Sequence, residues 1–191
     1  MKRNIITLLI TVFAMLQATA QTYDNLWKQA DIIAQKDQPK SEIGVMKKII
    51  SKATAAKDYG QLLAAEIRQA ILWREISPDS LTPNVKRMET EALKAKDPVL
   101  KAVRYAVLGK VYREVNGKKS EEFFKKALEQ PELLARNAST GYVPLTLKGV
   151  DGSSFKNDLL HLIGFEADSK EAYHLMYTYY NKVGNRGAAC L

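Results

Sequence analysis

KDPVLKAVRYAVLGKVYREVNGKKSEEFFKKALEQP, residues 96–131, decides the fold class. Leu100, Val103 and Val107 recur at three- and four-residue steps, and Tyr105, Leu108 and Tyr112 form a second apolar side. That period is helical, and a helix apolar on more than one side is sandwiched between neighbours. The spacing predicts one helix over residues 98–115 and another over 120–130, joined by a polar turn, Asn116-Gly117-Lys118-Lys119. Asp97-Pro98 supplies the start, because proline in the first helical position sacrifices an N–H that has no helical partner there.

Working outward, the same period predicts helices over residues 23–37, 39–57 and 59–76. Along 59–76, Tyr59, Leu62, Leu63, Ile67, Ala70 and Ile71 line one face, with Glu66, Arg68 and Arg74 expected to point elsewhere. Ser77-Pro78-Asp79-Ser80 reads as a stop. A further helix is expected over 82–95, with Thr82 as N-cap and Pro83 in its first position. Helices resume over 155–165 and 170–183. Ahead of these two, Tyr142-Val143-Pro144-Leu145-Thr146-Leu147 is β-prone, and Gly149-Val150-Asp151-Gly152 supplies turn residues.

Helix pairs open near residues 22, 59 and 98, a spacing of 37 and then 39. A period in that range points to stacked repeats, each pair burying its apolar face against the next. Tyr105, Leu108, Gly109, Tyr112, Phe124 and Ala127 resemble the tetratricopeptide pattern, in which the glycine permits close helix approach. The turn is one residue short, Ser120 stands where alanine is usual, and Pro131 comes one residue early. The expected architecture is all-α: a tetratricopeptide-like solenoid of helical hairpins with a short β-like insertion near residues 140–152.

The ends of the chain predict its destination. Lys2 and Arg3 precede an apolar run over residues 5–16, and Ala18-Thr19-Ala20 fits a signal-peptide cleavage pattern. Residues 1–20 are therefore expected to be a signal peptide, and 21–191 a single helical-repeat domain, exported to the periplasm or cell envelope. The apolar run is shorter than the ~20 residues that span a bilayer, so no transmembrane segment is expected after cleavage. The closing Asn185-Arg186-Gly187-Ala188-Ala189-Cys190-Leu191 resembles the start of another helix, which predicts a continuing chain or a docked neighbour.

Charge and cysteine content exclude some functions. Without Lys2 and Arg3 the formal charge of +8 falls to +6, and the bases alternate with acids, as in Lys118-Lys119, Glu121-Glu122 and Lys125-Lys126. Such mixing suits a solvated helix face and not the one-sided basic stripe of a nucleic-acid binder. Cys190 is the only cysteine, so no internal disulfide forms and stability must come from packing.

Chemistry-bearing constellations are sparse. His161 and His174 fall on different predicted helices without metal-ligand spacing, and no G-x-S-x-G nucleophile elbow occurs. No catalytic residue, cofactor or metal is expected. A hydrolase acting on envelope polymers would need a pocket joining His161, Asp158 and a serine. The tyrosines give the candidate surface: Tyr173, Tyr177 and Tyr180 share a helical face, and Tyr105 and Tyr112 share another. Packing between helices is the first reading of the 173–180 tyrosines; because tyrosine is enriched at interface hot spots, the alternative is that these five mark a protein- or peptide-binding surface.

Three stretches carry a family resemblance. Tyr142-Val143-Pro144-Leu145, residues 155–164 (FKNDLLHLIG) and residues 177–186 (YTYYNKVGNR) are similar to the N-terminal helical region of the alpha-2-macroglobulin-like proteins exported by Bacteroidetes. Ile76-Ser77-Pro78-Asp79-Ser80-Leu81 and Asp97-Pro98-Val99-Leu100 look similar too. The resemblance implies a non-catalytic binding or scaffold segment in an extracytoplasmic protease-surveillance system, acting on a protein or on downstream β-domains. The chain carries no macroglobulin domain, bait region or thioester motif, so protease inhibition attaches to none of its residues.

Overall fold

The computed structural model describes residues 22–113, 115–137 and 158–184. Among these the chain is all-helical. It runs through α1 (Tyr23–Ala34), α2 (Pro39–Ala56), α3 (Tyr59–Ile76), α4 (Pro78–Lys94), α5 (Pro98–Tyr112), α6 (Gly117–Ala127), α7 (Pro131–Ala135), α8 (Leu159–Ala167) and α9 (Lys170–Lys182). The expected β-like insertion near 140–152, the leader and Cys190 lie outside the described residues.

Side-chain caps set most of the starts. Thr22, Asp58, Asp97, Asn116, Asp158 and Ser169 each accept a hydrogen bond from a first-turn amide of α1, α3, α5, α6, α8 and α9. Each such bond satisfies a donor that has no partner within its helix. Besides α8, which opens at Leu159 behind its extended N-cap Asp158 and not at residue 155, two starts differ from expectation. Asn116 caps α6, so Gly117, Lys118 and Lys119 form its first turn and the polar connection is shorter than predicted. The second is α4, which opens at Pro78 behind Ser77 and carries Pro83 inside it. Ser77-Pro78 is itself a helix start, so the turn chemistry read as a stop belongs to the next element. Pro83 then removes one ladder bond without ending the helix.

Neighbouring helices pack in sequence from α1 to α6, and the chain also brings α3 against α5 and α5 against α8. α3 is enclosed by α2, α4 and α5. Its Leu62, Leu63 and Ala65 are fully buried, and so are Ile49 of α2, Val103 and Leu108 of α5, and Ile163 of α8. Each large apolar side chain buried this way stabilises the fold by about 1.5–3 kcal/mol relative to exposure.

Glu66 and Arg68 depart from their expected solvent positions. Glu66 is 8% exposed, and Arg68 bonds Glu42 of α2 and Asp31 of α1, at 2.9 Å for the latter. Packed neighbours on three sides leave α3 exposed charges only at Arg74 and Glu75 near its end, and Arg74 is thus where it was expected. The Trp27 indole N–H adds a bond from α1 to Gln61 Oε1 of α3, at 2.6 Å.

α5 and α6 touch at Gly109, as its position in the repeat pattern predicts. A Cβ there would stand 2.6 Å from the Phe124 ring, too close for two atoms. The Ser120 hydroxyl donates to the Gly109 carbonyl at 2.7 Å, so the serine in the alanine position adds a buried hydrogen bond. At the C-terminal end of α5, Arg113 donates to the carbonyls of Glu166 and Ala167, and Lys110 pairs with the Glu166 carboxylate at 2.7 Å. Both side chains fasten the C-terminal end of α8, where carbonyls lack helical partners. The Leu159 amide donates to the Asn137 carbonyl at 3.0 Å, joining the ends of the described chain on either side of residues 138–157.

Candidate protein-binding groove

A groove of about 280 Å³ opens between α5, the end of α6 and α7. Its lining includes the half-buried Ala102 and Leu133 as apolar surface over the buried Ala127 and Leu134, with Tyr105, Lys101, Lys126 and Glu129 around them. α7 makes this groove, and its existence was not anticipated. The sequence pattern carries the preceding helix to residue 130, whereas the structure uses Pro131 to open a new one, with Leu134 fully buried as its anchor. Asn137 Nδ2 donates to the Leu133 carbonyl at 2.8 Å and holds the end of that turn.

Tyr105 and Tyr112 come together as expected, through a residue the sequence reading missed. Phe123 of α6 lies 5.5 Å from the Tyr112 ring, nearly parallel at 9°, and 5.9 Å from Tyr105. Lys126 Nζ stands 5.3 Å from the centre of the Phe123 ring and 6.0 Å from that of Tyr105, while Lys119 stands 4.7 Å over Tyr112. Cations over aromatic faces are attracted by the ring quadrupole. The result is a ladder of three half-buried rings carrying an ammonium at each end, and Tyr105 delivers it into the groove. The signal was legible: Lys119, Phe123 and Lys126 repeat at four and three residues, one helical face.

The ladder is electrostatically tied to α4. The Tyr112 hydroxyl donates to Glu89 Oε1 at 2.8 Å, and Lys119 reaches the same carboxylate at 3.5 Å. Burial and the neighbouring Glu89 carboxylate push the Tyr112 hydroxyl above its ordinary range. Lys119, bonded to the Tyr112 oxygen and facing Glu89, also holds its proton more tightly than usual.

The α9 tyrosines separate. Tyr180 is 2% exposed, so it is a core residue and not part of a surface. Its hydroxyl donates to Asp158 Oδ1 at 2.7 Å, and its ring lies 5.8 Å from His161. Burial first, and the Asp158 carboxylate second, raise its ionisation far above the ordinary phenol range. Tyr173 is half-buried, bonds Asp168 at 3.0 Å and meets Phe165 edge-on. Tyr177 alone stands out, 52% exposed. Residues at positions 173, 177 and 180 share a nominal face, but α8 covers only one flank of it.

The Asp158 carboxylate caps α8 through the His161 amide and takes the Tyr180 hydroxyl, so the described partners of this cluster are a main-chain amide and a phenol. Among the described residues no group of three or more His, Cys, Asp or Glu converges as metal ligands would. No helix among them is long and apolar enough to cross a membrane.

Compared with protein-family models, with curated proteins and with solved structures, the chain matches none.

Proposed function

We propose that this chain is a non-catalytic helical binding domain that holds a peptide segment of another protein in the groove between α5 and α7. The carrying observation is the groove itself: Ala102 and Leu133 as apolar floor, the Tyr105 ring, and ammonium groups that have no carboxylate partner among the described residues. At about 280 Å³ it lies just below the roughly 300–1,000 Å³ of enclosed small-molecule sites. That size suits one or two side chains of an extended peptide, anchored by apolar contact and flanked by polar groups.

Two further readings belong to the same proposal. The helices form tetratricopeptide-like hairpins stacked as a solenoid, a reading supported by the contact of α3 with α5 and by the Tyr59–Asp97 bond between their starts. The domain works outside the cytoplasm, a reading supported by the leader-like first twenty residues and the resemblance to heads of alpha-2-macroglobulin-like proteins. On that resemblance Tyr177 and Val183, 52% and 55% exposed, offer α9 to a following domain.

The test is amide-shift mapping of the isotopically labelled chain titrated with a pool of random decapeptides. Shifts confined to residues 98–105 and 126–134 are the expected result. Shifts elsewhere, or none at millimolar peptide, would refute binding in the groove.

A further inference from the structure

Resting on the groove reading above, we infer that the segment it accepts is acidic, placing an apolar side chain on the floor and carboxylates against Lys101 and Lys126. The argument is charge complementarity. Lys101 and Lys126 both line the groove, and neither has a carboxylate partner among the described residues. Lys126 is exposed and held over the Tyr105 and Phe123 rings, so its position is fixed by contacts that leave its charge uncancelled. Lys101 lines the same groove from α5.

Glu129 is the single carboxylate in the lining, so the groove carries a formal +1. An ammonium held over a ring keeps N–H donors for an incoming carboxylate, and the apolar floor lowers the local dielectric. Complementary charge of this kind sets partner choice and association rate more than raw affinity. A basic segment would meet two like charges and find only Glu129 to answer them. The accessible apolar part of the floor, Ala102 and Leu133, offers no side-chain hydrogen bond, so the anchor between the acidic positions is apolar.

The experiment uses the purified chain and three fluorescein-labelled decapeptide pools, each with two central leucines flanked by Glu, by Lys or by Ser. Binding is read by fluorescence anisotropy at 50 and 300 mM salt. The expected result is at least tenfold tighter binding of the Glu pool than of the Lys pool, weakening with salt. Lys101→Glu with Lys126→Glu should abolish or reverse that preference. Ala102→Trp, which fills the floor, should weaken all pools alike, and circular dichroism confirms that both variants fold. If peptides bind and Ala102→Trp displaces them, but the pools are equal or the charge reversal has no effect, the acidic assignment fails while the groove reading stands. If no pool binds, or Ala102→Trp changes nothing, the groove reading fails and the inference with it.

Discussion

The Tyr59 hydroxyl donates to Asp97 Oδ2 at 2.9 Å, while Oδ1 of the same carboxylate caps the Val99 and Leu100 amides that open α5. One side chain thus fixes both the start of α5 and its position against the start of α3. Burial pushes the Asp97 carboxyl upward, but bonds from the Leu100 amide, Tyr59, Lys57 and the Val99 amide outweigh it and hold the group below its usual value. Burial and Asp97 together push the Tyr59 hydroxyl up to about 12.

Asp97→Ala should cost about 2 kcal/mol, the loss of a cap and of a part-buried hydrogen bond together. A lowered carboxyl contributes stability that is present above its unfolded value near pH 4 and lost as pH falls through the folded one. Urea unfolding from pH 7 to pH 2 should therefore show the two proteins converging at the acid end. A constant gap would show that the charge of Asp97 does not matter.

Glu66 has the opposite sign. It faces Arg104 of α5 and Glu91 and Arg87 of α4, and Glu91 bonds both arginines, Arg104 at 3.3 Å. Burial, opposed by Arg104 but reinforced by Glu91, raises Glu66 to about 7. A raised acid contributes stability that is full below its unfolded value, about 4.3, and drains away as pH climbs through the folded one. Glu66→Gln should flatten that slope and exceed the native chain by about 1–3 kcal/mol at pH 8. Chemical denaturation at pH 5 and pH 8 decides it, and equal slopes for the two proteins would contradict the expectation.

Gly109→Ala should destabilise by about 1–3 kcal/mol, because the overpacking against Phe124 outweighs the roughly 1 kcal/mol of helix propensity gained. Phe124→Leu in the same chain should recover part of the loss, a coupling that a double-mutant cycle of thermal unfolding measures. An additive pair would mean the ring is not the obstacle.

Tyr180→Phe should cost about 1–3 kcal/mol, since it strips a donor from a buried carboxylate that still caps α8. Tyr177→Phe, on the exposed flank of the same helix, should change stability by less than about 0.5 kcal/mol. Equilibrium unfolding of both variants tests the separation of the two tyrosines.

Much of this was readable from periodicity. α3 begins at Tyr59 and ends at Ile76 as its pattern predicts, and α2 and α5 open at Pro39 and Pro98. Gly109 was legible because a lone glycine between large apolar residues has few uses besides close approach. What a single helix's pattern lacks is the number of its neighbours. Glu66 and Arg68 looked solvent-facing because amphipathic reading sends charge outward, yet α3 packs against three helices and is exposed only at Arg74 and Glu75 near its end. Tyr180 and Tyr177 looked equivalent for the same reason. α4 opens earlier than its pattern suggests and α7 was not anticipated, because proline both stops one helix and starts the next, and only the packing decides which.

The hydrogen bond between Leu159 and Asn137 has a use beyond holding α8 to α7. It makes the two strands of chain at that point immediate neighbours, so the polypeptide enters and leaves residues 138–157 through a single doorway. Closing a loop costs only about 0.6 kcal/mol more for each doubling of its length. That doorway is therefore an engineering port: a reporter domain whose own termini lie close together can be grafted there while α7 and α8 keep their places.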